Sequence, residues 1–285
     1  MDVSVLQLSR KQPQHAPMWM GILNITPDSF SEDGVLNNEE ALKSAIQKFD
    51  ELNIGIIDIG GESTRPDAWS ITEDTEWERI ERPLKLVNEH FAGRKIRPLV
   101  SLDSRNFKTV RRALEYGINI INDVSGLADD RFIPLLKNSQ CQYILTHSLS
   151  VPASPSMHYS RNIDVIKELK QWFTDKIQYL VCHGINPEKI IIDPGIGFGK
   201  TSLQSQTILQ NISEFYCFEL RVLVGHSRKS FLTPIISTPP KERDIESLGL
   251  SLSLVNQGVD ILRVHNPELH IKAFKGWNFT RSNVL

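Results

Sequence analysis

Two carboxylates, Asp103 and Asp193, and one carboxamide, Asn122, each stand where a short apolar run stops. A carboxylate accepts hydrogen bonds and an amide both donates and accepts them. Together they suit the N–H-rich edge of a flat heterocycle such as a guanidine-like pyrimidinone, each charge-assisted bond contributing roughly 1.5–3 kcal/mol. The runs before Asp103 and Asp193 bury both acids, and a buried carboxylate needs a donor to offset its desolvation. An Arg or Lys across a pocket supplies one, as does a ligand; capping the following helix is the structural alternative. Basic groups stand at or just beyond other run ends: Arg65, Arg228, Lys229, Arg263 and His265. Set against Asp103, Asp193 and Glu62, they leave a positive surplus that points to an anionic ligand, unless they pair with the two Asp.

These positions follow from a repeated pattern. The apolar runs are Trp19–Asn24, Gly55–Gly61, Pro98–Asp103, Asn119–Val124, Tyr143–His147, Ile190–Pro194, Arg221–Gly225 and Asp260–His265. Most do not alternate polar with apolar, which fits strands of a parallel sheet buried on both faces. Helical spacing of apolar residues marks Asn38–Leu52, Asn106–Tyr116, Ile163–Cys182 and Ile245–Asn256. Gly55, Gly117, Gly184 and Gly258 follow helical runs and suit left-handed C-caps. Eight β-then-α units in one chain predict a single-domain (β/α)8 TIM barrel, whose C-terminal strand ends face one pocket. The strand ends read Asn24, Glu62 with Ser63-Thr64-Arg65, Asp103, Asn122, His147, Asp193, Lys229, and Arg263 with His265. A barrel often binds phosphate after strands seven and eight, and Ser227–Phe231 could open a short helix there. Two long loops, Thr26–Asn37 and Glu62 to about Thr75, are candidate lids. The Pro-rich Thr233–Pro240 segment reads as a loop ahead of the seventh helix.

Composition bounds the rest. The chain has 285 residues, 40% hydrophobic and 23% charged, with net charge -2, so no basic surplus marks a duplex nucleic-acid partner. Cys141, Cys182 and Cys217 form no CxxC pair, which disfavours a disulfide framework or a zinc site. No run approaches the ~18 apolar residues of a membrane helix, and Met1–Pro17 lacks the apolar core of a signal peptide. The expected compartment is the cytoplasm. The expected divisions are an N-terminal extension over 1–17, a barrel over 18–275 and a C-terminal tail over 276–285. Gly195-Ile196-Gly197-Phe198-Gly199-Lys200-Thr201 ends like a Walker A loop, but Pro194 occupies the first glycine position and Lys200 breaks a dinucleotide fingerprint. It reads as a close-approach loop whose Phe198 can cover a planar ligand.

The strand ends resemble those of the dihydropteroate synthases. Met20-Gly21-Ile22-Leu23-Asn24-Ile25-Thr26-Pro27-Asp28-Ser29-Phe30-Ser31 is similar to that family's first signature, and Asp58-Ile59-Gly60-Gly61-Glu62-Ser63-Thr64-Arg65-Pro66 to its second. Ile121–Gly126, Asp193–Lys200, Ser227–Ser230 and Arg263–His265 resemble further segments, and the match spans roughly residues 18–275. The resemblance implies a TIM barrel that condenses dihydropterin-methyl pyrophosphate with p-aminobenzoate, releasing pyrophosphate in an SN1-like reaction assisted by Mg2+. It implies that Asp103, Asn122, Asp193 and Lys229 hold the pterin, and that Arg263 and His265 hold pyrophosphate. Asn24 would lie near Mg2+, and Thr64 would contact the pyrophosphate substrate. Phe30, Arg65, Pro66, Phe198 and Ser230 would shape the p-aminobenzoate site, with Ser63 and Val264 completing the substrate-binding set. Lys229, Arg263 and His265 are the implied catalytic residues, and a homodimer the implied assembly.

The chain departs from the family pattern in places. Thr146-His147-Ser148-Leu149-Ser150 replaces Met-His-Met with Gln-Gly, Asp67 stands where Gly is common, and Asn266 follows His265 in place of Asp. Ser101–Arg105 is a loose version of the usual Val-Asp-Thr. Two other readings therefore stand beside the synthase: a pterin-binding paralogue with weak or altered activity, and a pterin-dependent methyltransferase domain serving a corrinoid partner. Both lid signatures, and Arg263 with His265, favour the synthase, because a methyl carrier has no pyrophosphate to hold.

Overall fold

Eight parallel strands close on one another in chain order. They are β1 Met18–Asn24, β2 Ile56–Gly60, β3 Leu99–Asp103, β4 Ile120–Asp123, β5 Gln142–Thr146, β6 Ile190–Asp193, β7 Arg221–Val224 and β8 Ile261–Val264. Each coincides with an expected run to within one residue at either end. The structure, a computed structural model, describes residues 16–26, 39–63, 69–154 and 157–279. Helices follow the strands: α1 Glu39–Glu51, α2 Glu73–His90, α3 Phe107–Leu114, α4 Phe132–Asn138, α5 Val165–Cys182, α6 Ser202–Gln210, α7 Asp244–Asn256 and α8 Pro267–Phe279. The expected (β/α)8 barrel is therefore present.

Both faces of the strands are buried, which is why the runs show little alternation. Outward residues such as Ile57, Ile59, Leu102, Ile121, Tyr143, Leu145, Ile192, Val222 and Leu262 pack against the helices in one large cluster. Inward residues Met20, Ile56, Ile120, Ile144, Ile191, Leu223 and Ile261 form a separate, fully buried plug inside the barrel. The plug is a packed core with no pore. The next inward position on a strand lies two residues further on, so the plug defines what faces the C-terminal mouth: Asp58, Asn122, Thr146, Asp193, Gly225 and Arg263. On β3, Leu99 packs against the plug, which turns Ser101 and Asp103 inward as well.

Helix boundaries follow local chemistry. Thr201 and Gln204 form a reciprocal capping box that starts α6, supporting a helix too polar to show apolar spacing. Gly117, Gly184 and Gly258 adopt the left-handed conformation after α3, α5 and α7, as expected of C-caps. Gly55 does not. After α1 the left-handed residue is Asn53, at φ 49°. Gly55 is required for space instead, because a Cβ there would lie 2.5 Å from Met18 Cγ. The second long loop ends at Thr72, whose hydroxyl accepts from the Thr75 N–H at 3.1 Å and caps α2.

Candidate active site

The mouth is organised around Arg263. Its Nε donates to Asp58 Oδ2 and its Nη2 to Asp103 Oδ2, both at 2.6 Å. Asp58 also accepts from Asn122 Nδ2 at 3.2 Å. Four strands are thus tied together beneath the rim by one buried network. Asn24 and Asp103 converge over Gly60: a Cβ there would lie 3.3 Å from Asp103 Cβ and 3.5 Å from Asn24 Oδ1. Burial raises the Asp103 carboxyl to about 7, Arg263 opposing the shift and Asp58 reinforcing it. Burial works against the Arg263 charge too, but Asp58 and Asp103 overcome it and hold its pKa above the usual arginine range.

Asp193 ends β6, Lys229 follows the neighbouring strand β7, and the two interact through their charges. Burial raises Asp193, Lys229 opposing; its Oδ1 accepts from the Gly195 N–H at 2.8 Å. Lys229 Nζ donates to the Ile196 carbonyl at 2.6 Å and lies 4.5 Å from the Phe198 ring centroid. Burial lowers Lys229 to about 8, Asp193 partly offsetting. Its backbone is fixed from behind, because Arg243 Nη1 donates to the Lys229 carbonyl at 3.0 Å. Phe198 is buried against Val124 and Ala153, on the wall beside Lys229. Ser230 is exposed at the start of a short 3-10 turn, Ser230–Leu232; the helix expected from Ser227 is only this turn.

The loop after β6 is a close-approach loop, as expected. Gly195 sits at φ 66°, and a Cβ there would be 1.9 Å from the His147 carbonyl oxygen. Lys200, in the loop's Walker-like ending, is buried and turned inward. Its Nζ lies 2.9 Å from Gly195 O, 3.0 Å from Phe198 O and 2.8 Å from His147 Nδ1. Three short acceptors match the three hydrogens of an ammonium, although burial pushes the amine well below its ordinary range. His147 Nδ1 therefore accepts, which assigns the proton to Nε2, 3.0 Å from Tyr159 Oη. Burial, with Lys200 adding, lowers His147 to about 2 and keeps the ring neutral.

Several expected positions are corrected. His147 does not face the mouth: it is 1% exposed and packs against Trp172. Arg228 leaves the mouth as well, at φ 58°. Its guanidinium pairs with Asp244 at the start of α7, at 2.7 and 2.9 Å. Glu62 is taken by Arg105 through two bonds of 2.9 Å. The positive surplus read from the sequence is accordingly absent among the described residues. Lys229 and Arg263 face three inward carboxylates, because Asp58 lies in the middle of an apolar run rather than at its end. A charge within an otherwise apolar strand was the signal for it.

The remaining positions are mixed. His265 Nδ1 lies 3.1 Å from Ser227 Oγ, one turn of strand beyond Arg263. Val264 is fully buried in the helix-facing cluster, so its side chain points away from the mouth. Ser63 is half-buried just beyond β2. Asn266 caps α8, accepting from the Leu269 N–H at 3.2 Å and donating to Asp244 at 2.9 Å. Phe30, Thr64, Arg65, Pro66 and Asp67 lie outside the described residues.

Fold and site together define a TIM barrel whose mouth, among the described residues, pairs buried carboxylates and an amide with two cations. A family model described as pterin binding enzyme matches residues 20–265. The dihydropteroate synthase of Escherichia coli is 32% identical over 262 residues, covering 91% of this chain and 90% of that one. The folate synthesis bifunctional protein of Chlamydia caviae is 35% identical over 251 residues, and the match covers 87% of this chain; the chain spans only 56% of that longer protein. Among solved structures, dihydropteroate synthase from Anaplasma phagocytophilum with bound 6-hydroxymethylpterin-monophosphate has a TM-score of 0.80 at 32% identity, covering 93% of this chain and 99% of that one. The chain belongs to the pterin-binding enzymes and, among them, to the dihydropteroate synthase family.

Proposed function

We propose that this chain condenses 6-hydroxymethyl-7,8-dihydropterin pyrophosphate with p-aminobenzoate, giving 7,8-dihydropteroate and pyrophosphate in folate synthesis. The observation that carries the reading is the buried Asp58–Arg263–Asp103 network beside Asn122, Asp193 and Lys229 at the barrel mouth. Asp103, Asn122 and Asp193 suit the amino- and N–H-bearing edge of a pterin, and Lys229 suits its oxygen- or nitrogen-acceptor side. The C–O bond to pyrophosphate breaks with its electron pair leaving on oxygen. The arylamine nitrogen then bonds to the pterin methylene carbon and loses a proton. Among the described residues, three carboxylates against two cations would favour positive charge on the pterin methylene as it develops, which is electrostatic stabilisation of the transition state.

The leaving group has its own side. Strands β8 and β1 are hydrogen-bonded neighbours, so His265, Arg263 and Asn24 share one edge of the mouth. Arg263 is engaged by two carboxylates, so it offers the pyrophosphate only its remaining N–H groups. Phe198 and Ser230, beside Lys229, stand on the p-aminobenzoate side. The donor set fits Mg2+: Asn24 Oδ1 supplies one hard oxygen at the edge, and Mg2+ is commonly held by one or two protein oxygens plus substrate phosphates. Among the described residues no cluster of three or more His, Cys, Asp or Glu could hold a metal by itself. Bound there, Mg2+ would neutralise charge on the departing pyrophosphate.

A homodimer and a cytoplasmic location complete the proposal. Helix α7 is inverted: its buried positions are Ser247, Ser251 and Leu254, while Ile245 is 68% exposed and Leu248 and Leu252 are half-buried. An apolar outer face of this kind suits a second copy. Ile245→Glu should then shift sedimentation from dimer to monomer. No helix among the described residues is long and apolar enough to cross a membrane.

Titration calorimetry with 6-hydroxymethylpterin tests the site directly. Asp193→Ala should weaken binding by about tenfold or more, the loss of a charge-assisted hydrogen bond. Unchanged affinity would remove Asp193 from the pterin site.

A further inference from the structure

The inward face of the mouth carries one polar group that the site as described leaves unused. Thr146 ends β5, and because Ile144 belongs to the barrel plug while Tyr143 and Leu145 face the helices, Thr146 turns inward. It is in register with Asp193 on the neighbouring strand. Around the mouth it fills the angular gap between Asn122 on β4 and Asp193 on β6. Its residue exposure is 0%, and its Oγ1 has no hydrogen-bond partner. Ser101 Oγ is a second unpartnered inward hydroxyl among the described residues, but it lies one inward position deeper than Asp103.

A buried hydroxyl without a partner is a cost to the unliganded fold. Valine has nearly the same shape and carries no such cost, and Ile144 one inward step below shows that the strand accepts a β-branched apolar side chain. The hydroxyl lies between two groups that read a heterocycle's polar edge. Resting on the pterin reading above, we propose that Thr146 is a specificity-determining residue: its hydroxyl hydrogen-bonds the polar edge of the bound heterocycle between Asn122 and Asp193. A hydroxyl both donates and accepts, so it can pair with a ring nitrogen or an exocyclic amine of a 2-amino-4-oxo ring. The substrate class it selects is a heterocycle polar along the whole of that edge.

The test separates ligand contact from folding. Wild type, Thr146→Val and Thr146→Ser are each titrated with 6-hydroxymethylpterin, and the melting temperature of each is measured without ligand. Thr146→Val is expected to bind about five- to tenfold more weakly, the loss of one hydrogen bond, while melting at the wild-type temperature or higher. Thr146→Ser, which keeps the hydroxyl, is expected to stay within about twofold of wild type in affinity, given one hydrogen bond retained. Wild-type affinity in Thr146→Val overturns the inference alone. Weaker binding together with a lower melting temperature in Thr146→Val also overturns it, because the hydroxyl then supports the fold. Failure of wild type itself to bind the pterin overturns the parent reading and this inference with it.

Discussion

Arg263 holds two buried carboxylates, so its removal is first a folding problem. Arg263→Ala leaves Asp58 and Asp103 without their shared cation, and an uncompensated buried charge costs about 3–5 kcal/mol. Urea unfolding should therefore show a loss of about 3 kcal/mol or more; a loss under about 1 kcal/mol would mean that the network adds little. The family resemblance pointed to Arg263 as a pyrophosphate ligand and the sequence left pairing with Asp103 open as the alternative, but Asp58 was left out, so the second half of this pairing was not legible. Strand-end reasoning collects charges where apolar runs stop, and Asp58 lies inside its run. The same residues set a pH dependence. Burial holds Asp103 at about 7 and Lys229 at about 8. On the proposed function, Asp103 would accept from the pterin only once ionised, and Lys229 would present its charge only while protonated. Plots of kcat/KM for the pterin substrate against pH should rise through about 7 and fall through about 8. Lys229→Arg should carry the alkaline limb out of range, and an unmoved limb would assign it to another group.

The β5 and β6 ends act as one element. Gly195 lets the loop after β6 press on the His147 carbonyl, and Lys200 ties the carbonyls of Gly195 and Phe198 to the His147 ring. Phe198 and the backbone acceptor of Lys229, Ile196 O, are positioned by this knot. Gly195→Ala combines a left-handed backbone with a 1.9 Å contact to backbone, so the loop must move; the expected destabilisation is about 3 kcal/mol or more, read as a lower urea midpoint. A midpoint equal to wild type would show that the loop has slack. The glycine spacing made the close approach legible in the sequence. The inward Lys200 and the buried, neutral His147 were not legible, because a lysine after a Gly-rich turn and a histidine at a strand end both read as open to ligand. The Lys200 partners include two backbone carbonyls, which leave no mark in a sequence, and His147 is held by Lys200 and by the distant Tyr159 hydroxyl.

At the scale of the whole molecule, the barrel was legible because strands buried on both faces produce eight continuous apolar runs with helical spacing between them. The same two-sided burial hid which residues face inward, since Ile56 in the plug and Ile57 against the helices look alike along the chain. Closure of the sheet decides it, and with it the negative balance of the described mouth. On the proposed function, that balance would favour a cationic pterin methylene, and the leaving group would sit at the β8–β1 edge with Asn24 and His265. The central claim is a condensation at this mouth, and product formation tests it most directly. Purified protein is mixed with Mg2+, 6-hydroxymethyl-7,8-dihydropterin pyrophosphate and labelled p-aminobenzoate, and labelled dihydropteroate is measured against released pyrophosphate. The account predicts one labelled product per pyrophosphate released, with both abolished by chelating the metal. Tight pterin binding with no labelled product would contradict it.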